Sequence, residues 1–247
     1  LSVAGQLLFV THEGNLRIWN VADPTHPQVE SEINTPNMGY DDFTDVTAAG
    51  NYVYVTQTGA FNGVQAIDVT DPRHPAIVDS LPVAGLPNSI KIDGNKLYIG
   101  ARNTSQSTAD GGFHIVDARN PHNLQELGAL GGSITAVDIF GTRAYALGSS
   151  VLVIDIASPQ SPREIGRYDV PGSGQSIAAT SRHVYVAERP RSMPGLSSSE
   201  VGGLRIVDVT RPSAPASLGF YNTTAETVSY THLRAHETDS YLVCRLL

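Results

Sequence analysis

The sequence is poor in thiols, in positive charge and in long apolar runs, and each shortage removes a class of function. One of its 247 residues is cysteine, so neither an internal disulfide nor a thiolate zinc cluster is available. Lys plus Arg number 16 against 24 Asp plus Glu, a formal net charge of −8. That balance argues against nucleic acid or an anionic membrane surface as a partner, because both require cationic surface. No apolar run approaches the ~20 residues of a spanning helix, so no membrane insertion is expected. Neither end reads as a signal peptide, and there is no initiator methionine. Enzymatic signatures are missing too: no G-x-S-x-G elbow, S-x-x-K, H-E-x-x-H, P-loop or G-x-G-x-x-G. Neither a catalytic residue, nor a metal ligand, nor a cofactor is assigned.

What is present is repetition. IWNVADPTHP (18–27), AIDVTDPRHP (66–75), IVDARNPHNL (115–124), VIDIASPQSP (153–162) and IVDVTRPSAP (206–215) are one pattern written five times. Its marker prolines are Pro24, Pro72, Pro121, Pro159 and Pro212, at steps of 48, 49, 38 and 53 residues. A second proline follows in four copies, and Leu124 takes its place in the third. Upstream of each marker lies another shared string: GQLLFV (5–10), GNYVYV (50–55), GNKLYI (94–99), GTRAYAL (141–147) and SRHVYV (181–186).

Each unit holds four short stretches rich in Val, Ile, Tyr and Leu, separated by Gly, Asn, Asp and Pro, which predicts four strands. In the third unit these fall at about 89–93, 96–101, 113–117 and 124–129. Gly94-Asn95 is a hairpin signal, and the marker prolines close a turn after each third strand. VLVIDI (151–156) is apolar on both faces apart from its aspartate, as in a sheet stacked between sheets. The expected fold is all-β: a β-propeller of about five four-stranded blades. A solenoid of stacked sheets is the competing architecture, with repeats that are usually shorter. Blade limits are expected near 1–43, 44–87, 88–132, 133–174 and 175–227.

Residues 203–221 (GLRIVDVTRPSAPASLGFY) and 151–172 (VLVIDIASPQSPREIGRYDVPG) resemble the LVIVD repeat. The resemblance implies a propeller-type fold and a bacterial or archaeal protein that is exported or displayed at the cell surface. It brings no catalytic residues with it. From Val228 the pattern stops. VSYTHLRAHET (228–238) and LVCRLL (242–247) resemble the in-frame translation of a transposase-based sequencing adapter flanking a short index. Residues 228–247 are accordingly read as a non-native tail, and His232, Arg234, His236, Glu237 and Cys244 are set aside. With Leu1 falling inside a first strand, the chain reads as a fragment of a larger or equal ring. Without the tail the charge is unchanged, 14 basic against 22 acidic residues, and cysteine is absent.

Strand parity sorts the connections. Turns after first and third strands share one face and are short and uniform. Loops after second strands, with the links between blades, share the other, and three of them are long: 57–63, 102–112 and 188–203. Long loops on a rigid scaffold are where binding sits. The candidate binding residues are Tyr40, Asp41 and Asp42 in the first link, with Arg102, Asp110, Glu188, Arg189, Arg191 and Glu200 on the insertions. The expected partner is a protein, a glycan or a small ligand. An alternative reading is a hydrolase or lyase using funnel carboxylates, with Asp41, Asp42 and Asp45 as the close cluster, metal-assisted or not. A third is a structural spacer in a longer surface protein. His26, His74 and His122 recur at the marker turn and are expected to be surface residues. Asp68, Asp117, Asp155 and Asp208 recur at the end of third strands, where a carboxylate accepts turn N–H groups.

Overall fold

The computed structural model describes residues 1–12, 14–34, 42–104, 110–189 and 202–223. The expected non-native tail, residues 228–247, lies outside them. The described residues form twenty strands in five antiparallel four-stranded sheets. Blade one contains β1 (Ser2–Ala4), β2 (Leu7–His12), β3 (Asn15–Asn20) and β4 (Gln28–Ile33). Blade two contains β5 (Asp42–Ala49), β6 (Tyr52–Thr58), β7 (Gly63–Asp68) and β8 (Ala76–Pro82). Blade three contains β9 (Leu86–Asp93), β10 (Lys96–Arg102), β11 (Gly112–Asp117) and β12 (Gln125–Gly131). Blade four contains β13 (Ala136–Phe140), β14 (Arg143–Leu147), β15 (Ser150–Asp155) and β16 (Arg163–Asp169). Blade five contains β17 (Ser173–Ala179), β18 (His183–Arg189), β19 (Gly203–Asp208) and β20 (Ala216–Asn222). Asp42 and Phe43, expected at the end of the first unit, open β5 of the second.

Strand order within every sheet follows the chain. Successive sheets pack through their first strands, β1 on β5, β5 on β9, β9 on β13 and β13 on β17, which puts first strands at the hub. Fourth strands lie at the rim and are the most exposed. Apolar residues of second and third strands fill the spaces between sheets in four clusters, one per pair of neighbouring blades. β15 shows why no clean alternation was visible: all of its residues but the terminal Asp155 are buried, because both of its faces are covered.

The turns between third and fourth strands use their aspartates as expected. Asp68, Asp117, Asp155 and Asp208 each accept the backbone N–H two residues on, at 2.8 to 3.1 Å. Asn20, which stands in the same place in blade one, accepts the N–H of Ala22 at 3.0 Å, so the turn survives the substitution. The side chains of Thr70 and Thr210, and after them the backbone N–H groups of the same residues, hold the carboxyls of Asp68 and Asp208 below the ordinary carboxylate value. At Asp117 the Arg119 side chain is the larger cause. His26 and His74 are side chains at 80% and 83% exposure beside Asp23 and Asp71 of the same turns.

Leu124 turns out to be informative. Its turn closes like the others, with Asn123 N–H donating to the Asn120 carbonyl at 2.9 Å. Unlike proline, Leu124 has an N–H, and it donates it to Asp79 on the rim strand of blade two at 2.6 Å. Asp79 occupies a position that recurs. In every blade the pairing of third and fourth strands slips by one residue, a β-bulge, beside Ser31, Asp79, Gly128, Gly166 or Gly219. Ser31 donates to the Pro72 carbonyl of blade two at 2.6 Å. A Cβ at Gly166 would lie 1.8 Å from the Pro212 carbonyl oxygen, so only glycine fits there. The bulge of one blade thus seats on the marker turn of the next.

Candidate functional site

The insertion-bearing face is stitched together by backbone. After a fourth strand, the chain donates an N–H to the loop that follows the second strand: Val83 to Asn62, Gly132 to Gly111, Val170 to Ser149 and Thr223 to Gly202, at 2.9 to 3.3 Å. Phe43 N–H likewise reaches the Gly14 carbonyl of blade one at 3.3 Å. These bonds satisfy backbone groups that a loop at the rim of a sheet would otherwise leave to water. They also fix where each insertion leaves and re-enters the scaffold.

The predicted site residues divide by what their side chains already do. Tyr40, Asp41, Arg191 and Glu200 lie outside the described residues. Asp110 sits at the base of the blade-three insertion, where its carboxylate accepts the N–H and the hydroxyl of Thr104 at 2.9 and 2.6 Å. Those bonds hold its carboxyl below the ordinary value. Asn103 Oδ1 accepts Gly111 N–H at 2.8 Å on the other side of the same base. Asp110 is therefore a clamp on its own loop.

Glu188 requires a correction. The sequence pattern puts it at the start of an insertion, but it lies inside β18 and is 2% exposed. Its carboxylate forms an ion pair with Arg205 on the adjacent strand and accepts Gly172 N–H from the link between blades four and five. The Arg205 guanidinium also stacks over Phe220, 4.7 Å from the ring centroid. The Glu188 carboxylate pushes the Arg205 guanidinium still higher than usual. A buried carboxylate committed to a guanidinium braces the sheet and is not presented to a ligand.

Asp42, Arg102 and Arg189 remain, and all three are exposed. Arg102 and Arg189 are the last residues of β10 and β18, eight positions after Gly94 and Ser181 of the shared upstream string. They hold the same place in blades three and five, each at the foot of a long insertion. Aligning the repeats on Gly94 and Ser181 is the signal in the sequence that gives this equivalence. Neither side chain enters a hydrogen bond or ion pair among the described residues. Asp42 opens β5 opposite Thr58.

The hub carboxylates are spoken for. Asp45 accepts N–H groups from Val46 and from Ile90 of blade three, at 2.9 and 3.0 Å. Asp138 accepts Ala179 N–H of blade five at 2.7 Å. Ser2 and Ser89 do the same with hydroxyls, toward Ala48 and Val137, both at 3.1 Å. Each blade–blade joint at the hub therefore has one side-chain acceptor latched on the next strand. Among the described residues no three His, Cys, Asp or Glu side chains converge as metal ligands, and Asp41, the third member of the expected cluster, lies outside them.

Five sheets of sequential strands, stacked through their hub strands, define a β-propeller. Residues 42–82, 131–170 and 199–223 match the LVIVD repeat. Among curated proteins none is similar in sequence to the chain. Solved structures share the fold at low identity. A protein from Lactobacillus plantarum superposes with a TM-score of 0.69 and 12% identity, over 90% of this chain and 70% of that one. The periplasmic gluconolactonase PpgL of Pseudomonas aeruginosa gives 0.67 and 16%, over 88% and 68%. Saccharomyces cerevisiae Sqt1 gives 0.62 and 9%, over 88% of this chain and 60% of its own. The chain thus spans three fifths to seven tenths of the length of these structures.

Proposed function

We propose that this propeller is a non-enzymatic interaction module of an exported or cell-surface bacterial protein, binding a protein, glycan or small ligand through its insertion-bearing face. One observation carries the reading. The marker-turn face spends its carboxylates on its own backbone, whereas the opposite face presents Arg102 and Arg189 in equivalent, exposed positions beside long insertions anchored at both ends. Two guanidiniums in fixed register favour a partner that offers carboxylate, sulfate or phosphate oxygens. The export address rests on the repeat. That no helix among the described residues is long and apolar enough to cross a membrane is compatible with it.

The hydrolase or lyase alternative relies on hub carboxylates. Asp45 and Asp138 are spent on holding neighbouring blades together, and of the expected cluster only Asp42 stands exposed among the described residues, which favours binding over catalysis. The test is a screen of the intact chain on glycan and protein microarrays, repeated with R102E/R189E. Retained ligands should lose about tenfold or more in affinity, about 1.4 kcal/mol. Ligands bound equally by both proteins would remove the insertion-bearing face from the assignment. A chain that retains no ligand at all leaves the spacer reading in possession.

A further inference from the structure

Two faces of the propeller lack what every other blade face has. In blades two to five, the residues equivalent to Leu8, Val10, Trp19 and Val21 pack against the preceding blade. Val53, Val55 and Ile67 of blade two and Val184, Val186, Val207 and Val209 of blade five are 0% exposed. In blade one Leu8, Val10, Trp19 and Val21 are only half-buried, and Leu8, Val10, Trp19 and Pro27 line an open groove of about 350 Å³. The opposite face shows the converse. Phe9, Tyr54, Tyr98 and Tyr145 are at most 4% exposed in blades one to four, whereas their equivalent in blade five, Tyr185, is half-buried together with Leu204 and Ile206. On the rim strand of blade five Leu218 and Tyr221 are 58% and 69% exposed. Gly219, at the bulge that seats on a marker turn in every other blade, has nothing within 4 Å of its Cβ position.

We propose that these two faces are the halves of unfilled blade–blade joints, and that their occupant is further blades of the same repeat, inserted between blade five and blade one. The chemistry of the occupant follows from the joints already made. Its first blade presents Val, Ile or Ala at the positions of Val184, Val186 and Val207, and a marker turn toward Gly219. Its last blade presents an aromatic ring and two aliphatic side chains toward Leu8, Val10 and Trp19, and a bulge toward the Pro24 turn. Five blades matching about seven tenths of two longer propellers leave room for about two more, within the usual range of blade number. An extra joint of this kind extends an interface the chain already builds four times.

Trp19 is the only tryptophan in the sequence, so its fluorescence reports on the open face directly. The experiment inserts a copy of residues 84–172, blades three and four, between Asn222 and Thr223 of the full chain. Trp19 emission should move to shorter wavelength and its quenching by acrylamide should fall several-fold relative to the 247-residue chain. A folded, soluble extended chain whose Trp19 stays equally open to quencher overturns the proposal. So does protection of Trp19 that grows with concentration in the 247-residue chain, alongside oligomers in sedimentation, because the faces then belong to a second copy. A second extension, with residues 42–131, blades two and three, guards against one unsuitable insert. Aggregation of both extended chains means that the faces reject the repeat's own blade, and the proposal falls.

Discussion

Blades four and five are built from nearly the same strands and differ in what lies against them. Tyr145, Val151 and Val153 of blade four are 0% exposed. Tyr185, Leu204 and Ile206 hold the same three places in blade five and are half-buried. Gly166 touches the marker turn of the next blade, and Gly219, its counterpart, touches nothing. A repeat therefore supplies side chains of the right shape, while burial is conferred by a neighbour. Most of what stabilises a blade is shared with the blades on either side, as expected of architectures whose units contact only adjacent units.

The largest test of that contrast is truncation of the two tyrosines. Tyr145→Ala should cost about 3–5 kcal/mol, the range for removing a buried aromatic side chain. Tyr185→Ala should cost about 1 kcal/mol, nearer to a typical point substitution. Urea unfolding of both variants gives the comparison, and equal losses would break it. A smaller effect is expected at the bulge. Gly166→Val forces a side chain into the Pro212 carbonyl and should destabilise by about 1–3 kcal/mol, as overpacking does. Gly219→Val should lie within about 0.5 kcal/mol of the parent. Melting curves recorded side by side would show whether the bulge glycine is required by the joint or by the strand.

The smallest effect concerns pH at the hub joint between these blades. Burial pushes the Asp138 carboxyl above its ordinary value of 3.8, against an opposing pull from the Ala179 N–H. The folded chain thus holds this proton more tightly than the unfolded chain. The resulting stabilisation is complete below the unfolded value and is lost as pH rises through the folded one. Asp138→Asn keeps an acceptor for Ala179 and removes the titration. Its stability relative to the parent should therefore rise from acid to neutral pH, measured by denaturant midpoints. A difference independent of pH would mean that the Asp138 carboxyl titrates alike in the folded and unfolded chains, against the expectation.

Much of the architecture was legible because the repeat writes it locally. The marker prolines, the Asx-turn aspartates and the hairpin signal at Gly94, which has φ +58°, each act within a few residues. The third unit shows the limit of such reading, since β9 begins at Leu86, three residues ahead of the expected start. What stayed hidden depends on register between units. Nothing near Asp79 reveals that Leu124 will offer it an N–H, and nothing near Asp138 names Ala179. Glu188 was misplaced because its strand runs to Arg189, further than the apolar pattern suggests, and its partner Arg205 is 17 residues away. The site itself was legible as a face and not as residues. Parity located the insertions, but which polar side chains are spent on the scaffold emerged only from their hydrogen bonds.

The latches and bulge contacts between blades have one further property. Among the described residues, nine side-chain hydrogen bonds between adjacent blades, from Ser31 with Pro72 to Ser89 with Val137, join residues 41 to 48 positions apart. Each link thus closes a loop of about one unit, so the entropic cost of forming it is nearly the same along the chain. Assembly can proceed by accretion, one unit docking on the last, without first bringing distant ends together. For a gene, the same arithmetic means that duplicating or deleting a whole unit leaves every remaining bond at its accustomed span, so units can be added or removed during evolution without a new set of contacts being invented.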